Sequence, residues 1–311
     1  MLLSVRDGRT GMAIGDVETV EAVPDTHYVD TGMYDTAEYG AVYVIDADRP
    51  ALVEAGIGAD RERVLAGIEA VGLDPGEIEV VALTHVHLDH AGGAGFLATD
   101  CPGATVFVHE IGAPHLVDPT RLWEGTKAAV GGQIEYYVEP KPVPEERVEG
   151  IEDGEAIDLG DRTLRAHHAP GHAPHQVVFH DPANDAVFTA DAAGIYAPSR
   201  DELFPTSPPP NFDPRQCQSD VDTLKEIQPD VLCYAHFGPV ETGDKLARYA
   251  DVLAEWVADV REARADLDDD AAVVEHFVEQ ADDERAVWGA EKADAEVAMN
   301  VRGVLAALDR E

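Results

Sequence analysis

Residues 84–93 read THVHLDHAGG and place His85, His87, Asp89 and His90 within six positions of a 311-residue chain that has only 13 histidines. Neutral imidazoles and a carboxylate are the donors that zinc and other borderline divalent metals prefer. The run before them, EIEVVAL, is apolar and β-branched, which predicts a buried strand ending at Thr84. Side chains two apart share one face of extended backbone, so His85 and His87 address one point beyond the strand end. Asp89 and His90 fall where the chain turns into AGGAGF, the start of a helix, and address a second point close by. Three further candidates each follow a strand-like run: His172 after TLRAHHAPG, Asp191 ending AVFTAD, and His236 ending VLCYAH. Polar residues held at the tips of rigid elements are how a scaffold presents ligands in fixed geometry.

The elements that must position these residues are legible as patterns. TAEYGAVYVIDADRPALVEAGIG predicts two strands joined by a turn over 46–50, and ADRERVLAGIEAVG predicts a helix stopped by Gly72. ATVFVHE, EAIDLGDRTLRAHH, QVVFHD, AVFTAD and DVLCYAHFG read as strands, and DVDTLKEIQ as a helix. Residues 115–150 read as loop-rich, with PKPVPEE as a connector. The stretch 198–214, with five prolines from 205 onward, reads as an irregular surface loop near the site. From about 243 the character turns helical. Leu246, Tyr249, Leu253, Trp256 and Val260 recur at spacings of three and four, one face of an amphipathic helix serving the core or a homodimer contact. AAVVEHFVEQ and EVAMNVRGVLAAL predict two more helices. The glycines of AGGAG stand without the lysine of a phosphate loop, so they are read as close backbone packing.

Composition narrows the partners. The chain has 62 acidic and 22 basic residues, a formal net charge of -40, with 45% hydrophobic residues. That apolar content predicts a folded chain, and its charge repels a nucleic-acid backbone. Self-repulsion of this size is screened in concentrated salt, where the Debye length falls to about 3 Å at 1 M. The expectation is a salt-rich, halophilic cytoplasm. Cys101, Cys217 and Cys233 are odd in number and widely spaced, which fits a reducing compartment. No apolar run reaches the roughly 20 residues of a membrane span, and the opening MLLSVRDGRTGM has no apolar stretch after a basic start, so no export signal is expected.

Taken in order, His85, His87, Asp89, His90, His172, Asp191 and His236 resemble the H-x-H-x-D-H … H … D … H signature of the metallo-β-lactamase superfamily, over about residues 20–240. The resemblance implies an α/β four-layer αββα sandwich, here a catalytic domain at 1–242 followed by a helical C-terminal segment at 243–311. It also implies a binuclear centre: His85, His87 and His172 for one metal, Asp89, His90 and His236 for the other, and Asp191 bridging. The family usually supports this centre from outside with an aspartate after an early strand. Here Glu54 fits that position, a departure by one methylene, and His175 is the second candidate for outside support. His109, His115, His167, His168 and His180 are read as core or surface residues.

Two divalent ions, zinc by preference with iron or manganese open to the same donors, imply a small-molecule hydrolase. Such a pair lowers the pKa of a shared water from 15.7 toward about 7 and polarises a carbonyl. Asp89, beside the attacking water, is the candidate catalytic residue. The helical extension is similar in layout to glyoxalase II enzymes, so thioester or ester hydrolysis leads. Lactone hydrolysis and a persulfide dioxygenase with a single iron are the alternatives. No clear basic cluster for the carboxylates of glutathione stands out, Lys245 and Arg248 being the one close basic pair after His236, so the thiol carrier is left open.

Overall fold

The computed structural model describes residues 11–311. Residues 1–10, which hold most of the stretch read as lacking an export signal, lie outside the described residues. Seven strands, β1 (Val17–Thr19), β2 (Thr26–Asp30), β3 (Ala41–Ile45), β4 (Ala51–Val53), β5 (Val80–Ala82), β6 (Thr105–His109) and β7 (Val148–Ile151), form one sheet in sequence order. A second sheet has the order β15-β14-β11-β10-β9-β8, from β8 (Ala156–Asp158), β9 (Thr163–His168), β10 (Val177–Asp181), β11 (Ala186–Ala190), β14 (Val231–Tyr234) and β15 (Gly238–Glu241). A short antiparallel pair, β12 (Ile195–Ala197) and β13 (Glu202–Phe204), stands apart from both.

Strand alternation builds the layers. On β3, Tyr43 and Ile45 face the second sheet, where they meet Phe179 of β10 and Phe188 of β11 in a core between the sheets. Val42 and Val44 point the other way. They pack with Val64 and Ile68 of α1 (Arg61–Ala70) and with Leu97 of α3 (Ala94–Asp100). On the second sheet the same alternation sends Val178, Val187 and Leu232 outward. These residues share one cluster with Val221 and Leu224 of α6 (Pro214–Ile227), and with α7 (Lys245–Asp266), α8 (Asp270–Glu279) and α10 (Ala290–Leu308). The result is the expected αββα sandwich with C-terminal helices. Burying each of these aliphatic or aromatic side chains contributes about 1.5–3 kcal/mol. Helices α7, α8 and α10 therefore close the outer face of the second sheet, whereas α9 (Asp282–Trp288) packs its Trp288 against Tyr39 and Phe204. On α7 Leu246, Tyr249, Leu253 and Val260 are buried; Trp256 is half-buried, packs on Phe277 and donates to Ser207 Oγ at 3.1 Å.

Three expectations need correction. The strand expected to run to Thr84 ends at Ala82. Beyond it the chain crosses between the sheets, and the Thr84 carbonyl accepts from Val177 N–H at 2.8 Å. The stretch read as loop-rich contains α4 (Ala113–Val117) and the 11-residue α5 (Thr120–Val130). Helix α5 buries none of its residues, and its less polar face, with Leu122, Gly125 and Ala129, borders a cleft and not the core. The irregular stretch from 198 starts with β13, which is paired to β12, before the prolines end regular structure. None of the described helices is long and apolar enough to cross a membrane.

Candidate metal centre

Every expected ligand leaves the C-terminal end of a strand or the turn just beyond it. His85 and His87 follow β5, and Asp89 and His90 sit on the short helix α2 (Leu88–Ala91). His172 lies in the turn after β9, Asp191 directly follows β11, and His236 follows β14. Close backbone packing sets the depth of α2. A Cβ on Gly93 would lie 2.0 Å from the Ala55 carbonyl oxygen, and one on Gly92 2.7 Å from that of Ile57. The AGGAG glycines thus let α2 and α3 sit against the chain after β4, as the missing lysine implied.

The structure brings all seven residues together. His85, His87, His172 and Asp191 converge with donor atoms within 4.8 Å of one another, and Asp89, His90 and His236 form a second such group. Asp191 stands between them. Its Oδ2 lies 3.0 Å from His172 Nε2, 3.3 Å from His90 Nε2 and 3.5 Å from His85 Nε2, and its Oδ1 is 3.6 Å from His236 Nε2. Within the groups His172 Nε2 is 2.9 Å from His87 Nδ1, and His236 Nε2 is 3.2 Å from His90 Nε2. Two of the atoms at the centre, His85 Nε2 and Asp191 Oδ1, are buried without a hydrogen-bond partner. Orphaned buried polar atoms are costly, and a cation among nitrogen and oxygen donors satisfies them. The residues fit a metal.

The outer nitrogens of the histidines are held by fixed partners, which sets the tautomers that aim the inner nitrogens. Glu54 lies 3.2 Å from His90 Nδ1 through Oε1, which also accepts from Thr84 Oγ1 at 2.5 Å. Thr84 Oγ1 in turn accepts from His85 Nδ1 at 3.1 Å. One buried carboxylate thereby orients a ligand from each group. His236 Nδ1 donates to the Tyr39 carbonyl at 2.9 Å, and His172 Nδ1 lies 3.4 Å from Thr206 Oγ1. His175 takes a different place: its Nδ1 accepts from Val86 N–H at 3.4 Å, and its ring stacks on His85 at 6.1 Å. Of the remaining histidines, His109 stacks on His168, His167 lies beside His180, and His115 borders the cleft.

Electrostatics separates the two groups. Burial pushes His85 well below its ordinary value, with His90 and His87 adding to the effect. Burial and His172 take His87 down to about 3, and burial outweighs Asp191 to lower His172. Burial takes His175 to about 2. These rings are neutral at physiological pH, as ligation requires. Burial opposes a charge on His90 too, but Asp191, Glu54 and Asp89 overcome it and raise His90 well above the ordinary range. Asp89 and Asp191 move the other way. Burial would raise both carboxyls, and the surrounding imidazoles hold them below the usual range.

The two groups form the floor of a cleft of about 350 Å³. One wall is α5, which presents Leu122, Gly125, Thr126, Ala129 and Val130 to the cavity. The proline loop at 208–210 and Met299 of α10 form another part of the wall. Tyr34, Tyr39, Tyr137 and Glu296 are also among the lining residues. The sequence reading missed these tyrosines and Glu296, because an isolated tyrosine in a loop and one glutamate in an acidic helix carry no local signal. Lys245 and Arg248, the basic pair considered for a carrier, both bind Asp201 at 3.1 and 3.2 Å and do not line the cleft. Among the described lining residues Arg121 is the one permanent cation.

Residues 35–236 match the model of the metallo-beta-lactamase superfamily. The chain is 27% identical over 220 residues to a metallo-beta-lactamase fold-containing protein of Sulfurisphaera tokodaii, covering 69% of this chain and 78% of that one. The crystal structure of an archaeal superfamily protein from Sulfolobus tokodaii superposes with a TM-score of 0.67 at 21% identity, covering 91% of this chain and 99% of the other. The chain is also 26% identical to an acyl-coenzyme A thioesterase of Gallus gallus, over 58% of this chain and 66% of that one. It is 32% identical to an N-acyl homoserine lactonase of Agrobacterium fabrum, over 57% and 61%.

Proposed function

Because this chain belongs to the metallo-beta-lactamase superfamily, we propose that it is a two-ion hydrolase of small acyl thioesters or esters, in the manner of glyoxalase II. The observation that carries this reading is the cleft itself: the two ligand groups, with Asp191 between them, floor a cavity walled by α5, the proline loop and Met299. Such walls receive the hydrocarbon part of an acyl group while the carbonyl lies at the ligands. An acyl-coenzyme A thioesterase and an N-acyl homoserine lactonase among the relatives support acyl substrates. His85, His87 and His172 would hold one ion, Asp89, His90 and His236 the other, and Asp191 both. Zinc suits these donors best, with iron or manganese next. Ions bound there supply Lewis acidity toward a carbonyl and a water ionised near neutral pH.

The chain's own groups do the rest. Asp89 borders the cleft as a carboxylate, 3.8 Å from His236 and 3.9 Å from His90, where it accepts a hydrogen bond from the attacking water and orients it. The apolar walls exclude bulk water from the acyl side. Among the described lining residues a glutathione carrier, with two carboxylates, meets one permanent cation, Arg121, so a thiol carrier of lower negative charge suits the cleft better. Lactone ring opening is the second reading, favoured by the lactonase relative. The charge of -40 supports work in a salt-rich cytoplasm.

The zinc-loaded protein should be offered acyl thioesters from acetyl to dodecanoyl, a hydroxyacyl-glutathione, N-acyl homoserine lactones and a persulfide under an oxygen electrode. Thioester cleavage is expected, with kcat/KM rising along the acyl series. Ala129→Trp, which fills the wall of α5, should lower kcat/KM for the long chains about tenfold or more and spare acetyl. Ring opening without thioester cleavage would replace the proposal with a lactonase. Oxygen uptake by an iron-loaded protein would replace it with a dioxygenase.

A further inference from the structure

Helix α10 carries Lys292, Glu296 and Asn300 at successive intervals of four, so all three share one face, and all three are buried. Lys292 Nζ donates to Glu296 Oε2 at 2.6 Å and sits 4.1 Å from the ring centres of both Tyr34 and Tyr39. Tyr39 OH donates to the same Glu296 oxygen at 2.9 Å, and Asn300 Nδ2 donates to Glu296 Oε1 at 3.0 Å. Asn300 Oδ1 accepts from Ser207 N–H at 2.6 Å, joining the network to the proline loop. Every polar atom of this face is thus committed inside the protein.

A buried ion pair is a poor source of stability. Apolar side chains of the same volume in its place are often neutral or stabilising. What the pair does here is grip Tyr39 from two sides, through its hydroxyl and through the face of its ring. The other end of Tyr39 reaches the metal centre. Its carbonyl accepts from His236 Nδ1 at 2.9 Å, and its ring lies 5.0 Å from the His236 ring. A proton held on Nδ1 leaves Nε2 as the lone-pair donor, and Nε2 is the atom facing His90 and Asp191.

We propose that the Lys292–Glu296 pair of α10 is a positioning device for the Asp89, His90 and His236 half of the centre, acting through Tyr39. Through Tyr39 the pair acts on one half-site. The outer partner of His85, Thr84, lies outside this network. Thr206, 3.4 Å from His172 Nδ1, sits between Pro205 and Ser207, which Asn300 holds, so it is tied to Asn300 and not to the Lys292–Glu296 grip on Tyr39. The assignment rests on the two-ion reading above.

The test uses cobalt(II) as probe on the full chain, following the absorbance bands and the two association constants of Tyr39→Phe, Glu296→Gln and the double variant Lys292→Met/Glu296→Leu. Removing the Tyr39 hydroxyl should weaken the second ion about 10- to 100-fold, alter its cobalt band and leave the first ion unchanged. Glu296→Gln keeps an acceptor for Tyr39 and should recover part of that loss. The double variant should melt, without metal, at or above the wild-type temperature, yet hold its second ion weakly. Wild-type affinities for both ions in Tyr39→Phe would overturn the proposal, as would equal weakening of both, which marks general loosening. Tyr39→Phe decides the matter if the double variant does not fold. A wild-type chain that takes up a single ion overturns the two-ion reading itself, and that result is read before any variant is made.

Discussion

Asp191 is the residue on which the centre turns. It is buried, its carboxylate lies within 3.6 Å of four histidines drawn from both groups, and its Oδ1 has no hydrogen-bond partner. On the two-ion proposal, removing it takes a negative charge from between two cations, so Asp191→Ala should lose both ions and recover them poorly even in saturating zinc. His236 serves one group only. His236→Ala should empty mainly the second site, keep the first ion and retain a lowered rate. Metal content by native mass spectrometry, with thioesterase rates at equal added zinc, separates the two variants. Two tightly held ions and near-normal turnover in Asp191→Ala would show that the carboxylate is structural. Loss of an orienting partner alone costs about 10- to 100-fold in metal affinity, so loss of a ligand should exceed that.

At the scale of elements, the cleft depends on two helices with opposite relations to the core. Helix α5 buries nothing and gives its small and apolar side chains to the cavity, whereas α10 is buried along most of its length. The approach of α10 to the proline loop is limited by Gly303. A Cβ there would meet the Ser207 carbonyl oxygen at 1.6 Å, and because that neighbour is backbone it cannot swing aside. Gly303→Ala should therefore destabilise the protein by about 1–3 kcal/mol or more, as overpacking does, in thermal or urea unfolding. It should also raise KM for long acyl substrates, because the loop it displaces carries Pro208, Pro209 and Pro210 of the cleft wall. An unchanged melting curve would mean that the loop moves freely and does not shape the wall.

For the whole molecule, the dominant long-range term is charge. A net of -40 on 311 residues makes the compact state repel itself, and salt screens that repulsion over about 3 Å at 1 M but only about 30 Å at 0.01 M. The melting temperature should fall by several degrees or more as KCl is lowered from molar to millimolar. Protein loaded with the two ions proposed above should fall less, because bound cations would offset charge at the centre and binding stabilises the folded state. A melting temperature flat across that range removes the argument for a salt-rich cytoplasm.

How much of this was written locally is clear from particular residues. The candidate ligands were legible because metal chemistry needs rare side chains at strand ends, and THVHLDH, His172, Asp191 and His236 carry that signal whatever lies around them. The layers were legible for a similar reason: alternation on strands such as AVYVI and AVFTA divides residues between two cores. Glu54 was found by its place after an early strand, and the structure sets it against Thr84 and His90. Helix α5 was not legible, since a helix that packs against an open cleft keeps no buried stripe. Nor was the link from Glu296 to His236, which joins residues 257 and 197 positions apart through Tyr39. A lysine and a glutamate four apart on an acidic helix read as an exposed pair. Only the packing of α10 over the loop before β3 turns them inward, because burial and partner are properties of the folded chain and not of the helix that carries them.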